Sequence, residues 1–361
     1  MIIKNTLTVI TMLGVLSQGL VGAESTTNPE LKNPIRFEIQ ELRPTPVIEK
    51  DHPDCKEIKY GFEGGQVVKL EGVYYMFTSE MAGDPWWLNM RLALWSSPNA
   101  IEWKRISTIK QSSGKPREET GLPYTSVWGP IPTYNDDENH WEVFYVAYDI
   151  GASNGGRMWR ATSTVKGRAG ITGPYKDVGI IMQPDKESQK WEGVQGVAGL
   201  FPYRVNDRWF AFYASASPMS RWQVGLAEAP TLAGPWKRRG EGNPQTFEPV
   251  FVENPLVTRI GDLYVAVYDS DVVNPPDSGC RYRQEKTSIG YTTSTDGIHW
   301  AKGGRIVVQP PGPANWSVDI RTPLGLIDEG NGIFTLFYTA ANTKRFWPVS
   351  MIKLKMVKEP Q

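Results

Sequence analysis

A short aromatic segment recurs five times along the 361-residue chain and limits its fold more than any other feature. Each copy has the apolar and aromatic composition of a buried β-strand, and each follows another apolar segment and a turn. Successive copies are roughly 55 to 70 residues apart, which is the spacing of a repeated structural unit. The copies are VYYMFTS at 73–79, EVFYVAY at 142–148, WFAFYAS at 209–215, LYVAVYD at 263–269 and IFTLFYT at 333–339.

Two more strand-like segments follow at least the first four copies, for example RLALWSS at 91–97 and WKRISTI at 103–109. Five units of four short antiparallel strands predict an all-β fold, a five-bladed β-propeller. The turns SSPNAIEW at 96–103 and TSTDGIHW at 293–300 end in Trp, which we expect to fill the gap between neighbouring blades.

The composition argues against several classes of function. The 39 basic and 39 acidic side chains cancel, so no overall field attracts nucleic acid, and we expect no nucleic-acid partner. Only three His are present, without HExxH or CxxC spacing, so we expect no metal site. A GxSxG motif is absent from the sequence, which gives no support to Ser/His/Asp hydrolysis.

The first residues have the pattern of an export signal. Lys4 precedes an apolar run that ends in Val21, Gly22 and Ala23, which predicts a signal peptide at 1–23 and cleavage near Ala23. A buried first helix is the alternative, but the run lacks helical amphipathicity. We therefore expect a secreted or periplasmic protein with one catalytic propeller domain at 24–361, a monomer without a membrane span.

Two cysteines, Cys55 and Cys280, remain in the predicted mature chain. An exported protein can oxidise such a pair, and both fall on the predicted rim of the propeller. The sequence does not decide between a disulfide and two separate thiols.

The turns and the first two blades resemble a known group of enzymes. The S..DG..W, GPY and GPW turns, with EGGQVVKLEGVYYMF at 63–77 and WGPIPTYNDDENHWEVFYVAY at 128–148, resemble the five-bladed propeller glycoside hydrolases of family 43 and its relatives. The resemblance covers about residues 55 to 356. It implies a divergent exported glycoside hydrolase acting on plant or algal polysaccharide or oligosaccharide. It implies no cofactor, although similar folds hold a structural calcium ion on the axis.

Three glutamates are candidates for the catalytic carboxylates. The innermost strands of a propeller surround a funnel, so side chains where these strands begin converge on the axis. This geometry selects Glu63, Glu192 and Glu253. Glycoside cleavage commonly uses two carboxyl groups. We predict that Glu192 and Glu253 are the catalytic pair and that Glu63 is a third acidic residue of the site. The alternative catalytic pair is Glu63 with Glu253.

The resemblance also shows where this chain departs from family 43. That family usually has Asp in the first blade, Asp after Trp-Ala-Pro in the second and Glu-Gly in the third. This chain has Glu63 in the first blade and Ile131 after Trp128-Gly129-Pro130 in the second. The third blade has Glu192 followed by Gly193. Loss of the second-blade Asp removes the group that modulates the acid, and two glutamates would also support a retaining route.

The rim loops are rich in Trp and Arg. Sugar C–H groups stack on indole rings and a guanidinium binds a carboxylate with two hydrogen bonds, so we expect an acidic, uronic sugar. Alternatively, these Arg pair with Asp and these Trp pack between blades. The predicted substrate-binding residues are Trp86, Trp128, Asp149, Arg157, Gln195, Arg221, Trp222, Asp269, Arg283 and Arg321, of which Arg321 is the strongest candidate.

Two other functions stay open. A carbohydrate-binding propeller without catalysis would have its glutamates paired with Arg, and a polysaccharide lyase would need a base such as Tyr282 beside Arg281 and Arg283. The sequence does not select the sugar, its linkage and anomer, retention or inversion, or the acid among the glutamates.

Overall fold

The computed structural model describes residues 31–115, 117–121, 124–149, 153–216, 222–240, 242–248, 251–270, 288–308, 316–317, 319–342 and 344–360. The predicted signal peptide lies outside these residues. No helix in this part of the chain has the length and hydropathy needed to cross a membrane.

Five four-stranded antiparallel sheets form a five-bladed β-propeller, which confirms the predicted fold. The short helices are a 3-10 turn at Pro53–Cys55, α1 at Arg117–Thr120 and a 3-10 turn at Arg168–Thr172. The strands are β1 (Ile35–Leu42), β2 (Gly61–Leu70), β3 (Val73–Met81), β4 (Met90–Ser97), β5 (Lys104–Gln111), β6 (Ser126–Asn135), β7 (His140–Asp149), β8 (Ser153–Lys166), β9 (Tyr175–Met182), β10 (Gly199–Val205), β11 (Arg208–Ser215), β12 (Gln223–Ala229), β13 (Lys237–Arg238), β14 (Glu253–Ile260), β15 (Leu263–Asp269), β16 (Ser288–Ser294), β17 (Gly304–Val307), β18 (Asp319–Gly330), β19 (Ile333–Ala341) and β20 (Val349–Lys358).

Blades 1 to 4 are consecutive groups of four strands, β2–β5, β6–β9, β10–β13 and β14–β17. Blade 5 combines β18, β19 and β20 with β1, which pairs antiparallel with β20 from Ile35 opposite Lys358 to Leu42 opposite Ile352. The strand nearest the N-terminus therefore completes the last blade and closes the ring.

The aromatic repeat forms the second strand of every blade, and these strands are almost entirely buried. The turn tryptophans pack between blades, as predicted. Trp103 of blade 1 contacts Phe337 of blade 5 with ring centroids 5.8 Å apart, and Trp300 of blade 4 contacts Phe212 of blade 3 at 5.1 Å.

A partly buried ion cluster also joins blade 5 to blade 1. Glu329, at the end of β18, accepts hydrogen bonds from Lys69 Nζ at 2.5 Å and from the Tyr74 hydroxyl at 2.8 Å. Thr335 also donates to this carboxylate, and Lys353 Nζ lies 3.3 Å away. Burial alone would raise the pKa of Glu329, but these hydrogen bonds and charges outweigh it and lower the pKa to about 2.

We expect Glu329→Gln to lower the free energy of unfolding at pH 7, because the neutral amide loses both lysine ion pairs. The loss should be only about 1–2 kcal/mol, since both lysines are partly exposed and water screens these pairs. The folded pKa lies below the ordinary glutamate value of 4.5. The contribution is therefore complete above about pH 4.5 and is lost as the pH falls towards 2. Urea unfolding of the variant and the wild type at pH 7 and pH 3 measures this loss, with exposed Glu71→Gln as the control. An equal difference at both pH values would contradict it.

Candidate active site

A cavity of about 440 Å³ opens at one end of the propeller. Its walls come from residues next to the innermost strands and from the loops that join second and third strands, which is the rim expected from the sequence. The lining residues are Glu63, Gly64, Trp86, Trp87, Ser126, Trp128, Gly129, Val146, Tyr148, Gln195, Ala198, Trp222, Glu253, Asn254, Arg321 and Trp347.

Blades 1 to 4 present one cavity residue each through the same backbone geometry. In each of these blades, the residue that follows the cavity-lining side chain has a positive φ, a conformation that Gly adopts freely and Asn tolerates. This turn directs the preceding side chain towards the funnel. The pairs are Glu63 with Gly64 (φ 65°), Trp128 with Gly129 (φ 59°), Gln195 with Gly196 (φ 66°), and Glu253 with Asn254 (φ 53°).

β-Bulges accompany this geometry in blades 1, 2 and 4, and blade 5 has a bulge at the corresponding place. The pairing of the first and second strands shifts at Glu63/Gly65, Trp128/Ile131, Glu253/Leu256 and Ile320/Pro323. Such bulges redirect a side chain at the end of a strand. The corresponding sequences, EGG, WGP, ENP and RTP, share Gly or Pro two residues after the cavity side chain. These tripeptides are therefore a local sequence signal for the bulges.

Two residues of blade 5 hold the Glu63 side chain in place. Its Oε1 accepts a 2.7 Å hydrogen bond from the Thr322 hydroxyl, and Arg321 Nη2 lies 3.7 Å from the same oxygen. The side chain is 12% exposed. Its Oε2 is buried and has no hydrogen-bond partner among the residues that the structure describes. Glu63 is therefore a carboxylate that residues of blade 5 fix at the wall of the cavity.

Glu253 begins β14 and lies directly opposite Asp269 of β15. Directly opposed residues share a face of the sheet with Cβ atoms roughly 5 Å apart, so Asp269 lies on the same face of blade 4 as Glu253. Tyr148 lines the same cavity. Burial, and then the charge of Glu253, raise the pKa of Tyr148, so its hydroxyl keeps its proton at neutral pH.

The structure does not bring Glu192 into this lining. Its side chain is 3% exposed, with Arg238 Nε 2.8 Å from Oε1 and the Tyr213 hydroxyl 3.1 Å from the same atom. The residue from this segment that lines the cavity is Gln195. The predicted pair of Glu192 and Glu253 therefore does not share the cavity, whereas the alternative pair of Glu63 and Glu253 does.

Glu192 belongs to a structural pattern of the blades. A Tyr of a second strand donates to a carboxylate, which also binds a basic residue of a fourth strand. This pattern neutralises a buried acid, and it explains why Glu192 faces Arg238. The other examples are Tyr145 with Asp177 and Lys110, and Tyr268 with Glu248 and Arg305.

The remaining predicted residues divide into three groups. Trp86, Trp128, Gln195, Trp222 and Arg321 line the cavity with Glu63 and Glu253. Asp149 and Arg157 are not among the lining residues, and Asp269 is buried behind Glu253. Arg221 and Arg283, like Arg281 and Tyr282, lie outside the described residues.

Tyr148, Asn254 and Ser126 line the cavity but were not predicted. Tyr148 precedes the predicted Asp149. Because successive strand residues point to opposite faces, an error of one residue exchanges the side chain that reaches a site. The hydroxyl of Ser126 accepts from Trp128 Nε1 at 2.8 Å and donates to the Trp87 carbonyl at 2.5 Å, which ties two cavity tryptophans together.

Cys55 is a free, buried thiol. Burial and then the nearby carboxylates, Glu80 first, raise its pKa to about 12, so the reactive thiolate is disfavoured. Cys280 lies outside the described residues.

One cluster in the described part of the chain has the spacing of metal ligands, with atoms of Glu138, His140 and Glu142 within 4.8 Å of one another. Arg160 binds both oxygens of Glu142, at 2.6 and 2.7 Å. A guanidinium therefore already neutralises this cluster, and it does not qualify as a metal site. The structural calcium ion stays a prediction.

Neither a protein-family model nor a curated protein matches this chain. Several solved structures do. A structure of BT0996, described as an RGII complex, is 15% identical, covers 91% of this chain and 93% of its own, and has a TM-score of 0.61. Zg3597, a family 117 glycoside hydrolase of the marine bacterium Zobellia galactanivorans, is 13% identical over 90% and 93% of the two chains, with a TM-score of 0.58.

A thermostable family-43 glycoside hydrolase is 16% identical over 83% of this chain and 95% of its own, with a TM-score of 0.53. The chain therefore has the five-bladed propeller fold found in glycoside hydrolases of families 43 and 117, which confirms the resemblance seen in the sequence. At these identities the likeness shows the fold alone.

Proposed function

We propose that this protein is an exported glycoside hydrolase that cleaves glycosidic bonds of plant or algal polysaccharide or oligosaccharide. One observation carries the proposal: Glu63 and Glu253, from two different blades, line a single cavity walled by tryptophans. Glycoside cleavage needs two carboxyl groups beside one bond and a surface that binds the apolar faces of a sugar. The shared fold of families 43 and 117 supports the same class of reaction.

The surroundings of the two carboxyl groups suggest different roles. Thr322 and Arg321 hold one oxygen of Glu63, which fixes this carboxylate at the cavity wall to act on water or on the anomeric carbon. Glu253 is the other carboxyl group of the cavity, and glycoside cleavage needs a proton donor besides the base or nucleophile. We therefore assign Glu253 as the proton donor and Glu63 as the base or nucleophile.

An acidic sugar is the proposed substrate class. The guanidinium carbon of Arg321 lies 4.4 Å from the centroid of the Trp347 ring, and both residues line the cavity. A guanidinium fixed on an aromatic face can hold a uronic carboxylate with two hydrogen bonds.

A substrate panel tests the reaction. The purified protein is incubated with disaccharides and glycosyl fluorides of galacturonic acid, glucuronic acid, galactose and arabinose, and with plant and algal polysaccharides. New reducing ends without unsaturated products support hydrolysis. Unsaturated ends would instead identify a lyase. Binding without turnover would identify a carbohydrate-binding propeller and overturn the proposed activity.

Arg321→Met tests the acidic sugar. We expect kcat/KM to fall at least about tenfold more for the uronic substrate than for its neutral counterpart, because only the uronic sugar loses its charged partner. Arg321→Lys keeps the charge but loses the planar two-bond geometry, and it should recover only part of this preference. Equal losses on both substrates would mean that Arg321 serves Glu63 alone.

A further inference from the structure

We infer that Trp86 and Trp87 form two separate sugar-binding surfaces, and that Trp87 binds the sugar on the leaving-group side of the scissile bond. The inference rests on the proposed function and specifies its substrate as one with at least two linked sugar rings. It follows from the positions of these two indoles.

The loop that carries both tryptophans, residues 82–89, is held at several points. The Asp84 carboxylate binds Lys59 and accepts a 2.5 Å hydrogen bond from the Tyr60 hydroxyl. Asn89 Nδ2 donates to the Asp84 carbonyl at 2.5 Å, and Ser126 donates to the Trp87 carbonyl. Both indoles are therefore placed before any ligand arrives, which lowers the entropic cost of binding.

The two ring planes are nearly perpendicular, with an interplanar angle of 86° and centroids 5.8 Å apart. A single sugar ring can lie flat on only one of them. Two faces at this angle and distance therefore suit two successive sugars joined by a bent glycosidic linkage.

The tryptophans also differ in depth. Trp86 packs against Trp128 at 5.6 Å and against Trp347 at 6.2 Å, so it continues the inner aromatic wall. Trp87 is 52% exposed, against 38% for Trp86, and stands further out on the rim.

Glu63 lies on the side of the inner wall. Glu63 is bound through Thr322 and Arg321, and Arg321 stacks on Trp347, the ring that Trp86 contacts. The sugar whose anomeric carbon reacts therefore occupies the Trp86 side. The sugar on Trp87 lies across the scissile bond and leaves with the product.

The test compares a disaccharide with the glycosyl fluoride of the same terminal sugar, using the pair from the panel that the wild type hydrolyses fastest. The fluoride has no second sugar to place on Trp87. We expect Trp87→Ala to lower the ratio of the two kcat/KM values, disaccharide over fluoride, by about tenfold. Trp87→Phe keeps a stacking face and should recover most of this ratio.

Trp86→Ala is the matched control, since it removes the inner surface and should lower both kcat/KM values while the ratio stays within about twofold. An unchanged ratio in an active Trp87→Ala enzyme would overturn the subsite and leave the hydrolase intact. Absence of turnover by the wild type on every pair would instead overturn the proposed function, and the subsite with it. The two failures are therefore distinguishable.

Discussion

Glu253→Gln is expected to lower kcat for a disaccharide by about 10²- to 10⁴-fold, the range associated with loss of a general acid. The amide cannot give a proton to the leaving oxygen but keeps nearly the same shape. Glycosyl fluoride hydrolysis should fall far less, because fluoride leaves without protonation. Glu63→Gln should instead slow both substrates, since a base or nucleophile is needed whichever group leaves.

Glu192→Gln separates this assignment from the pair first predicted. Arg238 would lose its buried charged partner and keep only the half-exposed Asp185 carboxylate, 3.2 Å away, so we expect a loss of about 2–3 kcal/mol in the free energy of unfolding. Activity at a temperature where the variant stays folded should remain within about threefold, because Glu192 is not in the cavity lining. Kinetics and chemical denaturation of the three variants measure both quantities. A collapse of kcat in Glu192→Gln, with Glu253→Gln active, would reverse the assignment.

The fold was predictable because its strongest signal is local. Burial of the second strand in each blade imposes an aromatic segment that recurs in the sequence. The pairing of β1 with β20 was not predicted, because it joins residues more than 300 positions apart and β1 is a half-exposed strand that lies outside the aromatic repeat. Such pairings depend on closure of the ring, for which the sequence gives no local signal.

The site was predictable to the extent that a strand start determines where a side chain points. Glu63, Trp128 and Glu253 reach the cavity for this reason. Glu192 was predicted because it precedes the innermost strand of blade 3, yet the local geometry shared by the blades recurs at Gln195-Gly196. The partners that explain Glu192, Tyr213 and Arg238, are 21 and 46 residues away in the chain and meet it only in the folded blade.

Gly65→Ala is expected to be the most disruptive single methyl addition near the cavity. Gly65 has a φ of 119°, and a Cβ there would lie 2.0 Å from the Phe77 carbonyl oxygen, a backbone atom that cannot rotate away. The bulge that positions Glu63 must then open. We expect a loss of about 3 kcal/mol or more in the free energy of unfolding and at least about a 100-fold loss in kcat/KM, because Glu63 leaves Thr322 and Arg321.

Gly64→Ala is the matched control for this bulge. Gly64 has a φ of 65°, in the left-handed region that Ala adopts at a cost of about 1 kcal/mol, and its nearest atom to a Cβ is the Gly129 Cα at 3.7 Å. Urea unfolding and kcat/KM for both variants separate backbone strain from a steric clash. If Gly65→Ala behaved like Gly64→Ala, the bulge would not fix Glu63. If only Gly65→Ala fails, the backbone of blade 1 positions this carboxylate as much as its partners in blade 5 do.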